Sequence, residues 1–109
     1  MVIGVGRIVL ALPGNSSLKG KRKVIRSILD RVRARFSVAA AEVDNMDDWR
    51  RATLGFAVVS NDSSHANSMV DAVLSYVEAS VDAVVVDRHL ELVHMADGRQ
   101  LGDFAEGED

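Results

Sequence analysis

The sequence predicts an α+β domain in which two helices cover one face of a four-stranded antiparallel sheet. Its hydrophobic pattern switches between the two-residue period of strands and the 3.6-residue period of helices, in the order strand, helix, strand, strand, helix, strand. This order contains two strand–helix–strand units, and right-handed crossovers place both helices on the same face of the sheet. We therefore expect a single ferredoxin-like βαββαβ domain over residues 1–96, followed by an acidic, glycine-rich and flexible tail over residues 97–109.

Length and composition are those of one small globular domain. The chain has 109 residues, of which 48% are hydrophobic and 27% are charged, and it contains no cysteine. Disulfide frameworks and thiolate chemistry are therefore excluded. No apolar run approaches the roughly 18 residues of a membrane span, and the apolar N-terminus lacks the basic segment of a signal peptide. We expect a cytoplasmic protein that does not associate with membranes.

The first predicted strand, residues 2–12, is apolar on both faces. Val2, Ile8, Leu10 and Leu12 share one face, and Ile3, Val5, Val9 and Ala11 share the other. Such a strand is typical of the centre of a sheet that is covered on both sides. Gly4 and Gly6 indicate a bulge or the close approach of other atoms to the backbone. They do not form a dinucleotide-binding loop, because the third glycine and the following helix are missing.

The stretch 16–36 predicts the first helix. Its apolar residues recur at steps of three and four and form one stripe, which consists of Leu18, Val24, Ile25, Ile28, Leu29, Val32 and Phe36. Ser16 or Ser17 is placed to cap the first turn by accepting a hydrogen bond from an unpaired backbone N–H. Pro13 and Gly14 end the preceding strand.

This helix concentrates the positive charge of a chain whose net charge is −3. Residues 19–35 contain eight basic residues and one acid, whereas the remainder contains five basic and fifteen acidic residues. Like charges four positions apart, such as Lys19 with Lys23 and Arg22 with Arg26, destabilise a helix by a few tenths of a kcal/mol per pair. Helix formation alone therefore does not require this arrangement. Two interpretations stay open: a solvated helix face, or a surface that binds a polyanion such as RNA.

A second strand over residues 37–43 leads into the acidic loop 44–48. Three aspartates in five positions are suitable ligands for a hard cation. The glycine and terminal glutamate of an EF-hand loop are missing, so the pattern favours a plain polar turn. Trp49 follows the loop, where an indole either packs over the edge of the core or anchors a partner.

The remaining elements are a third strand over residues 51–60, a helix from about residue 64 to 79 and a fourth strand over residues 84–95. We expect Val84, Val86, Leu90 and Leu92 on one face of the last strand and Val85, Asp87, His89, Glu91, Val93 and Met95 on the other. Arg88 points away from Asp87 and His89, so cross-strand ion pairs explain these charges better than a catalytic group. The acidic tail is a possible intramolecular competitor for the basic helix.

The helices of this fold cover only one face of the sheet, yet the first and third strands are apolar on both faces. The uncovered face requires a second covering layer. A second copy of the same sheet is the simplest one, so the sequence predicts a homodimer through this face.

The segment SLKGKRKVIRSILDRVRARFSVAAAEVDNMDDWRRATLGFAVVSND resembles the signature of the small bacterial YlxP-like family, the domain of unknown function 503. The shared pattern is an SLK-x-KR helix start, then R-x-RF-x-V, AEVD, a tryptophan after a short polar loop, and VSND. The resemblance covers most of residues 2–95 and implies a ferredoxin-like fold. Genes of this family often neighbour those of transcription-termination, translation-initiation and ribosome-binding factors, which implies a role near RNA or the ribosome. Gly20 stands where the family often has glutamate.

We therefore expect a non-catalytic module that binds RNA or a ribosomal particle through its first helix, without a metal or cofactor. The residues expected to contact nucleic acid are Lys19, Lys21, Arg22, Lys23, Arg26, Arg33 and Arg35. The alternative is a homodimeric protein-interaction or regulatory module with a solvated helix. A small metal-dependent nuclease is a weaker alternative, because the first strand does not end in the acid that would hold Mg²⁺.

Overall fold

The computed structural model describes residues 1–80 and 83–96, which form six elements in the predicted order. The strands are β1 (Val2–Ala11), β2 (Ala39–Asp44), β3 (Arg51–Ser60) and β4 (Val84–His94), and the helices are α1 (Leu18–Arg35) and α2 (Ser63–Ser80). The sheet has the order β2-β3-β1-β4, and all three pairings are antiparallel. The predicted βαββαβ sandwich is therefore confirmed, with β1 and β4 adjacent.

Both helices pack on the same face of the sheet, and this side contains the hydrophobic core. Ile8, Leu10, Leu54 and Phe56 project from β1 and β3 into it. The helices contribute one apolar stripe each, which consists of Ile25, Ile28, Leu29 and Val32 from α1 and Ala66, Val70, Val73, Leu74 and Val77 from α2.

The glycines of β1 allow α2 to pack directly against the strand. A Cβ atom at Gly6 would lie 2.7 Å from Val70 Cγ1, and one at Gly4 would lie 2.8 Å from Val70 Cγ2. Both distances are shorter than carbon atoms tolerate, so larger residues would push the helix away from the sheet. The sequence-based expectation of a close approach at these glycines is confirmed.

The opposite face of the sheet, called the open face below, is covered by nothing within the described residues. The strand register places eleven apolar side chains there, namely Ile3, Val5, Val9, Ala11, Ala39, Ala41, Val43, Ala57, Val59, Val84 and Val93. Val59 is 69% exposed, and Val43 packs over Gly55, where a Cβ atom would meet it at 2.9 Å. This face also carries Arg7.

The start of β4 differs from the prediction. A register shift opposite Val9 and Leu10 leaves Val86 as an extra residue, so Val85, and not Val84, lies opposite Leu10 and packs against the core. The expectation that Val84 and Val86 share the core face with Leu90 is wrong, because a bulge reverses the alternation of side chains. Val84 is 57% and Val86 45% exposed.

The second strand also begins later than expected, at Ala39 and not at residue 37, and it continues to Asp44. Within residues 1–80 and 83–96, neither helix is long and apolar enough to cross a membrane. The predicted tail, residues 97–109, lies outside the described residues, as does its suggested competition for the basic helix.

Candidate nucleic-acid interface

Helix α1 presents a group of cations on the side opposite its buried stripe. Ser17 begins the helix by accepting a hydrogen bond from Gly20 N–H at 3.0 Å, as predicted for an N-cap. The cations are Lys19, Arg22, Lys23 and Arg26, called the cationic stripe below, and all four are exposed. Their spacing of three and four residues puts them on one face of the helix.

The cationic stripe is not neutralised by the described part of the chain. Among residues 1–80 and 83–96, no carboxylate oxygen lies within 4.0 Å of any of its four side chains. Asp30, the one acid of the helix, is instead paired with Arg33, at 3.7 Å between Oδ1 and Nη1. Within the described residues, the stripe is therefore an unpaired, exposed group of cations over about 10 Å of helix axis.

Two further predicted contact residues are partly engaged within the protein. Arg33 also donates a hydrogen bond to the backbone carbonyl of Ala40. The Arg35 guanidinium lies over the Tyr76 ring, 5.1 Å from its centroid, and near Phe36, at 5.9 Å. Both are exposed, but these contacts set their orientation, so we place them outside the cationic stripe. That they contact nucleic acid stays a prediction.

Lys21 is not on this surface, and the prediction that it contacts nucleic acid is wrong. Its side chain is only 1% exposed. It lies on the core-facing side of α1, four residues before Ile25 and seven before Ile28, both of which are buried. The apolar spacing of the helix already contained this signal, because Lys21 continues the buried stripe by one turn.

The Lys21 ammonium group holds the loop between β2 and β3. Nζ donates to the carbonyl of Asp48 at 2.7 Å and to that of Asn45, and Met46 O lies at 3.5 Å. Glu42 Oε2 lies 2.8 Å from Nζ but outside the direction of a hydrogen bond, so the two groups form an ion pair without a hydrogen bond. Glu42 points toward the helices because it pairs with Leu54, whose side chain is in the core.

Other contacts fix the same loop, residues 45–50, called the clamped loop below. Asn45 adopts a left-handed backbone conformation, with φ of 61°, and its side-chain oxygen accepts a hydrogen bond from Thr53 Oγ1 at 2.6 Å. This contact and the loop bury Thr53 to 4% exposure. The loop is therefore held by β3 through Thr53 as well as by α1 through Lys21.

Asn15 connects the clamped loop to the N-terminus of α1. Its Nδ2 donates to the carbonyl of Ser17 at 2.8 Å and to the carbonyl of Trp49. A Cβ atom at Gly20 would collide with Asn15 Oδ1. Glycine at this position therefore makes room for the asparagine.

The aspartates of the loop act mainly on its own backbone. Asp44 Oδ1 accepts from Asn45 N–H and Asp48 Oδ1 from Arg50 N–H, both at 2.8 Å. Among the described residues, no group of three or more potential ligands could hold a metal ion. Trp49 is half-buried, and the Arg50 guanidinium stacks 4.6 Å from its ring centroid.

The charged residues of β4 form ion pairs on both faces of the sheet. Arg7 Nη2 on β1 lies 3.1 Å from Asp87 Oδ2, and His89 Nε2 lies 3.2 Å from Glu91 Oε1, all on the open face. Arg88 points to the other face and binds Asp71 and Glu78 of α2. The predicted separation of Arg88 from its neighbours is confirmed, and the pair between Arg7 and Asp87 is a cross-strand ion pair of the kind that the pattern favoured.

Comparison with known proteins identifies the family. Residues 3–90 match the family described as "Protein of unknown function (DUF503)". The chain belongs to the DUF503 family. It is 31% identical over 78 residues to the "Uncharacterized protein YlxP" of Bacillus subtilis (strain 168), an alignment that covers 72% of this chain and 85% of that protein. The resemblance found in the sequence is confirmed, and a family of unknown function transfers no residue roles to this DUF503 chain.

Solved structures support the fold of this DUF503 chain but not a function. The solution NMR structure of a de novo designed protein with a ferredoxin fold superposes with a TM-score of 0.56 at 11% identity, covering 89% of each chain. The structure of a REP-associated tyrosine transposase bound to a REP hairpin gives a TM-score of 0.41 at 9% identity, covering 92% of this chain and 61% of that one. The first shows the ferredoxin-like fold, and the second is too distant to support any argument.

Proposed function

We propose that this protein is a non-catalytic module that binds RNA, free or within a ribosomal particle, through the cationic stripe of α1. One observation carries the proposal. The four stripe cations have no carboxylate within 4.0 Å among residues 1–80 and 83–96, although the chain as a whole has a net charge of −3. An acidic protein with a local group of cations that lack a partner among its described residues attracts polyanions to that surface only.

The arrangement suits phosphates rather than bases. Lysine and arginine side chains on a helix face contact the nucleic-acid backbone and give affinity that depends on salt and not on sequence. RNA-recognition folds with a similar sheet stack bases on exposed aromatic side chains. Here Phe56, the only phenylalanine, tyrosine or tryptophan within the described strands, is buried under the helices. We therefore expect little preference for a base sequence, and a location in the cytoplasm, where RNA is available.

The chain offers a matched pair of variants to test this proposal. Arg22 and Arg26 lie four residues apart on the stripe, and Arg31 and Arg35 lie four residues apart on the flank that contacts α2. We expect Arg22→Gln with Arg26→Gln to weaken binding to a structured RNA about 10-fold or more at low salt. Arg31→Gln with Arg35→Gln removes the same charge from the same helix and should weaken binding by less than about 3-fold. Fluorescence anisotropy with labelled ribosomal RNA fragments measures both.

Salt dependence separates phosphate contacts from a general loss of charge. Each phosphate contact contributes roughly 0.7 to 0.9 to the slope of log affinity against log salt. The stripe variant should therefore reduce this slope by about 1.5, and the flank variant should leave it nearly unchanged. Equal losses in both variants, or no measurable binding by the native chain at low salt, would contradict the proposal. Lys21 is unsuitable for this test, because its replacement disturbs the clamped loop.

A homodimeric interaction module that does not bind nucleic acid is the second candidate. The observation that favours it is the open face, whose apolar side chains are uncovered within the described residues. Purified protein that forms dimers but carries no RNA, with an unchanged affinity in the stripe variant, would support this candidate over the first. No catalytic residue is proposed in either case.

A further inference from the structure

We infer that the open face is the contact surface between two copies of this chain, which pack sheet against sheet around a two-fold axis. The inference is independent of RNA binding, because the cationic stripe lies on the helix side of the sheet and the open face on the other. Its basis is the composition of this face, the position of its charges and the area that it offers.

The apolar side chains of the open face form a continuous surface across three strands. Ile3 and Val5 on β1 lie opposite Val59 and Ala57 on β3. Val43 packs over Gly55 and continues the surface to β2. Monomeric proteins rarely expose apolar patches larger than a few hundred square ångströms, and larger patches mark interaction sites.

The charged groups of the open face are arranged as an interface requires. Asp87, His89 and Glu91 lie along the edge strand β4, and the register places Asp44 and Arg51 at the end of the face where β2 ends and β3 begins. Arg7 is the one charge on β1, and Asp87 neutralises it at 3.1 Å. Apart from Arg7, the charges therefore lie at the margin of the apolar surface, and an apolar centre with a polar rim is the composition of a stable protein–protein interface.

The area is sufficient for a dimer. Three strands of ten or eleven residues and one of six form the sheet. At about 3.4 Å per residue and 4.8 Å between strands, the face measures about 600 Å² in projection. Two copies would bury about 1,200 Å² or more, which reaches the range of stable interfaces.

A second copy packed on this face is favoured over two alternatives: coverage by the C-terminal segment of the same chain, and association of two chains along the edge of the sheet. The segment 97–109 contains only Leu101, Phe104 and Ala105 as apolar residues besides its glycines, together with five acids. It cannot cover eleven apolar side chains without placing acids against them. Association along the edge of β4 is disfavoured, because the bulge at Val86 interrupts the strand and charged side chains flank it.

Mass measurement with matched variants tests the inference. Size-exclusion chromatography with light scattering on the full chain, from about 5 to 200 µM, should give twice the 11.8 kDa of one chain. Val5→Glu with Val59→Glu should reduce the mass to that of one chain while circular dichroism stays unchanged. The control is Val24→Glu, a valine of similar exposure on α1, at 41% against 37% for Val5, and it should remain dimeric.

Other outcomes overturn the inference. A native chain with the mass of one copy throughout this range would leave the face to a different partner. A Val5→Glu, Val59→Glu variant that stays dimeric would place the contact elsewhere. Should the double variant unfold, Val59→Glu alone serves the same purpose, because this side chain is 69% exposed and outside the core. A dimer that this single change leaves intact at 5 µM also contradicts the inference.

Discussion

Lys21 differs from the basic residues around it in what its ammonium group contacts. Its neighbours Arg22 and Lys23 extend into solvent, whereas Lys21 is buried and holds backbone carbonyls of Asn45 and Asp48 beside the Glu42 carboxylate. A buried ammonium group is tolerated only when its N–H groups are paired. Lys21 therefore joins α1 to the loop between β2 and β3 by donating hydrogen bonds to the backbone carbonyls of the loop. An apolar side chain could not pair these carbonyls.

Replacement of Lys21 by methionine should destabilise the fold. The methionine fills a similar volume but leaves two carbonyls and a largely buried carboxylate without their partner. The expected loss in the free energy of unfolding is about 2–4 kcal/mol. The exposed Lys19→Met is the control and should change it by less than about 0.5 kcal/mol. Urea denaturation followed by Trp49 fluorescence measures both, and it also reports on the clamped loop.

A double variant separates charge from packing at this site. Lys21→Met combined with Glu42→Leu removes the unpaired carboxylate, so it should recover part of the stability lost in Lys21→Met alone. If Lys21→Met costs no more than Lys19→Met, the ammonium group does not hold the loop in solution.

At the scale of the element, the buried and exposed faces of α1 meet different requirements. Its buried face satisfies the core, while its exposed face places like charges at spacings that weaken the helix. The first turn contains no acid, although acids there would be stabilised by the helix dipole. A helix shaped by stability alone would not leave this turn cationic.

The Lys19→Glu variant should therefore raise stability and weaken RNA binding together. A glutamate in the first turn interacts favourably with the helix dipole and with Arg22 and Lys23, three and four residues on. We expect a gain of about 0.5–1 kcal/mol in the free energy of unfolding. RNA affinity should fall about 10-fold, measured on the same sample by anisotropy.

The opposite end of the helix provides the control for this prediction. Arg35→Glu places an acid in the last turn, where the dipole disfavours it, and removes the contact with Tyr76. It should lower stability and leave RNA affinity within about 3-fold. If Lys19→Glu gained stability with no loss of RNA affinity, the cationic stripe would be only a solvated face.

Periodicity is a local signal, so the sequence alone predicted the helices and strands. It did not predict the features that depend on contacts between distant parts of the chain. Helix α1 and its Ser17 cap follow from spacing within one turn. The bulge at Val86 is set by pairing with β1, which lies more than seventy residues away in the chain. The charge of Lys21 predicted a place on the nucleic-acid-binding surface, although its position in the apolar stripe indicated burial. Its partners in the loop are visible only in the fold.

At the scale of the whole molecule, the two proposed surfaces lie on opposite sides of one sheet. The cationic stripe is outside the helix layer, and the open face is on the reverse. Sheets pack about 10 Å apart, and helices lie about 10 Å above a sheet. A sheet-to-sheet dimer would therefore carry two cationic stripes on opposite outer surfaces, with their helix axes about 30 Å apart.

Such a dimer should hold two RNA segments at the same time. Native protein mixed with two RNA fragments that carry different fluorophores should bring both into one complex, measured by fluorescence cross-correlation. The Val5→Glu, Val59→Glu variant should bind one RNA with similar affinity per site but should not join two, because each monomer has one stripe. The Arg22→Gln, Arg26→Gln variant should remain dimeric, bind RNA more weakly and join fewer pairs of fragments. A native dimer that binds RNA but never joins two fragments would contradict this arrangement. In a sheet-to-sheet dimer both stripes lie on outer surfaces, so neither should be blocked.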